Sequence, residues 1–202
     1  MIFGLVLFLL AGPVEKSVAD GNAAWHAKRY EEAVAYYQKA LGARPDSPEV
    51  LYNLGDALYR TGDFARALEN FDRAARLGGT SRTVVLARYN AGNSAFQVAM
   101  GAIYSDPQGT LKLLERAIGS FEQAHKMDPK MENAAHNAEV ARKWLELLKQ
   151  QFAQPSSQGY SLVPQIPGMG RGPSVRGILG RDQAMRPGAG SGGRPVAVDK
   201  DW

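Results

Sequence analysis

Residues 48–81 read PEVLYNLGDALYRTGDFARALENFDRAARLGGTS, and the architecture of the chain follows from this stretch. Its small and aromatic residues occur in the same order one period earlier in the chain. The matched pairs, all at the same separation, are Gly21 and Gly55, Tyr30 and Phe64, Ala33 and Ala67, Tyr37 and Phe71, and Ala40 and Ala74. A fixed period of about 20 to 50 residues is the signature of stacked repeats, so the match predicts a repeat protein.

A third copy of the pattern is longer than the first two. It opens at Ala91-Gly92 and closes with Ala117, Phe121, Ala124 and Pro129. The step from Gly92 to Ala117 is more than twice as long as the matching steps in the earlier copies. Divided between two antiparallel helices, the extra residues predict a hairpin in which each helix is longer by nearly two turns. Asp106 is the predicted N-cap of its second helix, and Pro107 the first helical residue.

The spacing of glycine, alanine, aromatic residue and proline resembles the tetratricopeptide repeat (TPR), a helix-turn-helix unit of about 34 residues. Small residues in both helices predict a close approach within each pair, and Tyr37, Phe71 and Phe121 are expected to fill the groove toward the next repeat. Pro45, Pro129 and the pair Gly78-Gly79 end the second helices. The predicted fold class is therefore an all-α, right-handed TPR superhelical solenoid of three repeats plus a capping helix.

The predicted TPR domain covers residues 14–152. Its parts are repeats at 14–47, 48–81 and 85–130, with an insertion near 98–112, and a cap at 131–152. A cap is required because the last apolar face of an array has no neighbour. The stripe formed by Val140, Trp144, Leu147 and Leu148 is expected to cover the long hairpin.

Residues 1–12 form a predicted hydrophobic leader. Ile2 to Ala11 carry no charge and are almost wholly apolar, but ten residues are about half of what a spanning helix needs. The length suits the apolar part of a signal peptide, although no basic residue precedes it and no clear small-residue cleavage site follows. The leader is interpreted as a signal peptide or a retained membrane tether, with a buried N-terminal helical turn as the alternative. Because the chain has no cysteine, a lipoprotein anchor is excluded.

The C-terminal segment 153–202 has a different composition. It contains ten Gly, six Pro and five Ser, too little apolar material to offset its chain entropy. It also holds six cationic residues against three acidic ones, so most of the net charge of +4 lies here. We expect a disordered tail, which is either a solvated linker or carries a terminal motif, Asp199, Lys200, Asp201 and Trp202, that docks into a partner.

Catalysis finds little support in the residue types. The chain lacks cysteine, and its three histidines, His26, His125 and His136, show no spacing typical of a catalytic or metal site. The glycine-rich stretch 168–177 neither follows a strand nor opens a helix, so it is not read as a nucleotide site. The nearly neutral body also argues against a nucleic-acid partner. We predict no enzyme, cofactor, metal or small-molecule substrate.

The first helices of TPR units line a concave groove, so the resemblance implies a protein-binding surface. The predicted groove residues are Asn22, Trp25, Tyr52, Asn53, Asp56, Tyr59, Tyr89, Asn90, Asn93, Phe96, His136 and Asn137. Three of them, Asn53, Asn90 and Asn137, form a series of amides able to bond an extended peptide. The alternative is that the asparagines satisfy neighbouring helix ends and the aromatic residues are core.

One TPR subclass binds C-terminal carboxylates of chaperones through two asparagines and three basic residues. Asn22 and Asn53 match the asparagine positions. The basic positions fall on Val18, Leu86 and Asn90, so chaperone tails are not the expected ligand.

The leader, the long third hairpin, the cap sequence HNAEVARK and the terminal VDKDW together resemble the Bat (Bacteroides aerotolerance) type of bacterial TPR protein. This resemblance implies a periplasmic or inner-membrane-associated scaffold that works beside von Willebrand factor A-domain membrane proteins, with a role in stress. The tail departs from that group because it is rich in glycine. The alternative is a self-assembling structural or membrane-organising TPR protein.

Overall fold

The computed structural model describes residues 12–153. The predictions made for the leader, the tail and the terminal motif fall outside this range. Within it the chain forms seven helices and no strand. They are α1 (Pro13–His26), α2 (Tyr30–Ala43), α3 (Pro48–Thr61), α4 (Phe64–Leu77), α5 (Ser81–Ala102), α6 (Pro107–Met127) and α7 (Glu132–Ala153). The predicted all-α class is confirmed.

The chain divides into two compact units, and the boundary falls inside α5, between Ala87 and Arg88. In the first unit, α1 packs on α2, α2 on α3 and α3 on α4, so consecutive helices are neighbours as in a TPR array. In the second unit, α6 packs on α7. The hydroxyl of Thr110 on α6 also donates to the carbonyl of Ala99 on α5, at 3.3 Å.

The third helix pair contains the additional residues that the spacing predicts. Helices α1 to α4 have 14 residues each, whereas α5 has 22 and α6 has 21. With about 3.6 residues per turn, each is longer by about two turns. The Asp106 carboxylate accepts a hydrogen bond from the Gly109 backbone N–H at 2.8 Å, and Pro107 begins α6. The lengthened hairpin and its cap are thus confirmed.

The repeated glycines lie against aromatic rings of their own helix pair. A Cβ atom at Gly21 would be 2.7 Å from Tyr37, one at Gly55 would be 2.8 Å from Phe71, and one at Gly92 would be 2.7 Å from Phe121. All three rings are completely buried. Each ring thus occupies the space left by the missing side chain in its own pair. That the rings also fill the groove toward the next repeat stays a prediction.

Helix α7 buries a different stripe from the one predicted. Its fully buried apolar side chains include Ala134, Ala138, Ala141 and Leu148, with Leu145 close behind at 6% exposure. Of the predicted stripe only Leu148 is buried, while Val140, Trp144 and Leu147 are half-buried on the adjoining side of the helix. Small alanines let α7 approach its neighbours closely, which moves the contact face by about one residue position.

Candidate protein-binding surface

The predicted groove residues divide into two sets by exposure. The buried set, at 7% exposure or less, is Trp25, Tyr52, Asn53, Tyr89, Asn93, Phe96 and Asn137. The accessible set, half-buried or exposed, is Asn22, Asp56, Tyr59, Asn90 and His136. Only the second set offers side chains to a partner without rearrangement. The proposal that these residues bind a partner stays a prediction.

In the first unit, amides of α1 and α3 bond one another. The Tyr37 hydroxyl donates to Asn22 Oδ1 at 2.7 Å, and Asn53 Nδ2 donates to the same oxygen at 3.5 Å. Asn53 is fully buried and Asn22 is half-buried. Asn53, which the repeat pattern predicts to line the groove, therefore forms a hydrogen bond between α3 and α1.

A similar arrangement occurs in the second unit. Asn137 Nδ2 on α7 lies 3.2 Å from Asn93 Oδ1 and 3.3 Å from the Tyr89 hydroxyl, both on α5. Asn93 in turn donates to Asn90 Oδ1 at 3.4 Å. Asn53 and Asn137 therefore bond side chains of neighbouring helices, and not the helix ends that the alternative interpretation named.

The buried aromatic residues of the predicted set belong to the core. The Tyr52 ring packs on Phe71 at 5.5 Å between centroids, and Tyr89 packs on Phe121 at 5.8 Å. Phe96 is completely buried. Tyr59 differs, since it packs on Phe64 at 5.0 Å but keeps part of its side chain accessible.

Asp56 is the acidic group of this surface. Burial raises the pKa of its carboxyl above the ordinary value, while the Arg60 guanidinium and the Trp25 indole N–H oppose that shift. Burial and, less strongly, the Asp56 charge raise the pKa of the Tyr37 phenol. The half-buried carboxylate thus lies among α1, α2 and α3 in an environment that disfavours its charge.

The Tyr37 hydroxyl is a feature that the repeat pattern did not single out. The equivalent positions in the other two helix pairs are Phe71 and Phe121. Only the first pair therefore has a phenolic donor facing its first helix, where it holds Asn22. The signal was present as a tyrosine in a position otherwise occupied by phenylalanine.

Residues 12–153 can also be described by their potential metal ligands and by the apolar character of their helices. No cluster of three or more potential metal ligands occurs in residues 12–153. Among the helices that the structure describes, none combines the length and apolar character needed to cross a bilayer. The ion pairs of this region, such as Lys143 with Glu139, lie on the exposed surface and contribute little to stability.

Comparison with known protein families finds a match to one kind of repeat in part of the chain. Residues 18–82 and 52–99 match the model of the tetratricopeptide repeat. A search of curated proteins gave no match to the chain. The family matches support a TPR protein, and together with the order of helix packing they confirm the predicted fold class. Such repeats generally act as non-catalytic scaffolds for protein–protein interactions, and the match does not distinguish the Bat type from other TPR proteins.

Proposed function

We propose that the chain is a non-catalytic adaptor that holds partner proteins in a complex of the bacterial cell envelope. The observation that carries the proposal is the set of accessible polar and aromatic side chains on first helices, Asn22, Asp56 and Tyr59 in the first unit and Asn90 and His136 in the second. Amide, carboxylate, imidazole and phenol groups of this kind suit an extended peptide, whose backbone needs both donors and acceptors.

The partner and the location rest on the resemblance to Bat-type proteins. We propose A-domain membrane proteins as the partners, a periplasmic or inner-membrane-associated location, and a role under stress. The apolar run Ile2 to Ala11 supports delivery to the envelope, by cleavage or by retention as a tether. The runner-up is a self-assembling structural protein, which would need no partner.

The test is affinity capture of the full-length chain, expressed natively, from membrane and soluble envelope fractions. Mass spectrometry identifies the captured proteins and the mature N-terminus in the same sample. We expect A-domain membrane proteins to be enriched. Capture of cytoplasmic proteins by a chain that keeps Met1 and shows no membrane association would overturn the envelope proposal.

A pair of variants tests the surface itself. Asp56→Asn and His136→Ala, introduced together, change accessible first-helix side chains. Glu69→Gln and Lys126→Ala are the matched control, since both residues are exposed on second helices. Partner recovery should fall at least tenfold, equal to about 1.4 kcal/mol, only with the first pair. Equal recovery with both pairs would remove the first-helix surface from the proposal.

Asn53→Ala is unsuitable for that purpose. Its amide is fully buried and bonded to Asn22, so a loss of capture would not separate lost contact from lost folding. The runner-up is tested by light scattering of the purified chain. Growth of particle size with concentration, with no partner added, would favour self-assembly.

A further inference from the structure

The cap helix α7 has an apolar side that the packing of the second unit leaves partly open. Val140, Trp144 and Leu147 follow one another at spacings of four and three, so they share one side of the helix. All three are half-buried, whereas Leu145 and Leu148 on the adjoining side are buried. We name Val140, Trp144 and Leu147 the α7 stripe.

The chain that follows α7 is suited to this stripe by composition. Residues 160–166 read YSLVPQI and place Tyr160, Leu162, Val163 and Ile166 within one short segment. Residues 154–170 contain no charged side chain, so covering the stripe with them would desolvate no charge. Beyond Met169 the sequence carries six cationic and three acidic residues, whose charges would lose hydration on an apolar stripe.

Length and direction permit the contact. Trp144 lies nine residues before Ala153, about 14 Å back along the helix axis. The six residues 154–159 span up to about 20 Å when extended. The linker is therefore long enough for segment 160–166 to reach the stripe. A short tether also raises its effective concentration into the millimolar range, which favours it over an untethered segment of another molecule.

We propose that residues 160–166 dock in cis on the α7 stripe and cover it. The contact would complete the cap of the array with an element from the same chain, and a partner that needed this side of α7 would have to displace it. The inference goes beyond the proposed adaptor function and does not depend on it, because it concerns one molecule without a partner.

The test is photocrosslinking in the full-length chain, with p-benzoylphenylalanine in place of Trp144. A matched control places the same group at Glu146, which is exposed on a different side of α7. We expect crosslinks from position 144 to residues 154–170 within a single molecule, at a yield independent of protein concentration. Position 146 should give no such product.

Substitutions in the segment make the test specific. Leu162→Asp with Ile166→Asp should lower the yield of the internal crosslink about tenfold or more, since loss of one buried aliphatic side chain already changes an equilibrium by about that factor. Ile178→Asp with Leu179→Asp, the same chemistry farther along the tail, should leave the yield unchanged.

A second measurement does not alter α7. Hydrogen exchange of residues 140–151 should be faster in the Leu162→Asp, Ile166→Asp chain than in the unchanged protein or the Ile178→Asp, Leu179→Asp control. Crosslinks between two molecules, crosslinks to other parts of the tail, or equal exchange in all three chains would each overturn the proposal. None of these outcomes bears on partner capture, so the failure of this inference and that of the adaptor function are distinguishable.

Discussion

Among single residues, the three first-helix glycines show how the repeat pattern works. Each glycine leaves room for one aromatic ring. The rings of Tyr37, Phe71 and Phe121 fill these places and are completely buried. Glycine in a helix costs about 1 kcal/mol relative to alanine. The close packing of ring on backbone offsets that cost.

This packing predicts opposite effects for two glycines of the third helix pair. Gly92→Ala should destabilise the protein by up to about 2 kcal/mol, since overpacking costs about 1–3 kcal/mol and helix propensity returns about 1 kcal/mol. Gly119→Ala on α6, where an added Cβ would meet nothing within 4 Å, should stabilise by about 0.5–1 kcal/mol. Urea unfolding midpoints measure both. A more stable Gly92→Ala would contradict the packing argument.

The buried amide of Asn137 gives a second prediction for a single residue. Asn137→Ala leaves the Tyr89 hydroxyl and Asn93 Oδ1 without this donor and should cost about 1–3 kcal/mol. Asn133→Ala, one turn earlier on α7 and half-buried, should change stability by less than about 0.5 kcal/mol. Denaturant titration of both variants decides whether Asn137 has a structural role.

Asp56 makes stability depend on pH in an unusual direction. Because burial raises the pKa of this carboxyl in the folded protein, the folded state keeps the proton to a higher pH than the unfolded state does. Its contribution to stability therefore falls as pH rises above about 4, the ordinary value. Asp56→Asn should remove this loss and be at least as stable as the unchanged protein at neutral pH.

For Glu139 the dependence of stability on pH has the opposite sign. Its hydrogen bond with Lys143 lowers the pKa of the Glu139 carboxyl, so its small contribution is present at neutral pH and lost on acidification. Thermal unfolding between about pH 2 and 8 compares Asp56→Asn with Glu139→Gln, with the Glu139 effect expected below about pH 4 and the Asp56 effect above it. A slope that Asp56→Asn leaves unchanged would show that Asp56 does not carry the effect.

Among the helices, length is set by where the caps lie. The additional residues of the third copy extend α5 and α6 because Asp106 and Pro107 begin a new helix only after Ser105. Asp106→Ala removes the acceptor for the Gly109 N–H and should destabilise by about 1 kcal/mol. Ser105→Ala, the neighbouring exposed position, is the control and should change little. Unfolding by urea measures both variants.

The cap helix shows how an element acquires its orientation. Four small or apolar positions, Ala134, Ala138, Ala141 and Leu148, are completely or almost completely buried, and Arg142 pairs with Glu122 on α6. Leu148→Ala should therefore cost about 2–5 kcal/mol, whereas Leu147→Ala, at a half-buried position, should cost less. Hydrogen exchange in α7 would report the difference directly.

For the molecule as a whole, the proposed route to the envelope depends on the apolar run at the N-terminus. Leu5→Arg with Leu9→Arg should prevent export, because a charge in such a segment opposes its insertion. We expect the variant in the cytosolic fraction with Met1 intact or removed only by ordinary processing. Conservative changes, Leu5→Ile with Leu9→Ile, should leave the distribution as it was. Equal fractionation of both variants would end the export proposal.

The kind of fold follows from the order of the amino acids alone. The constant step between matched glycine, alanine and aromatic positions predicts paired helices, and the capping residues Asp106 and Pro107 predict a lengthened third pair. The helix bounds agree with both predictions. This works because helix period, small-residue spacing and cap chemistry are properties of the linear sequence, each readable within one or two repeats.

Which side chains remain accessible depends instead on how the helices pack. Asn22 and Asn53 are both groove positions in the prediction from sequence, yet one is half-buried and the other completely buried. The same holds for Tyr59 and Tyr52. The exposure of a side chain depends on which neighbouring helix packs against it, and on how much space is filled by residues far away in the sequence. Those long-range terms, such as the ring of Phe71 against Tyr52, are set by packing and cannot be read from a local period.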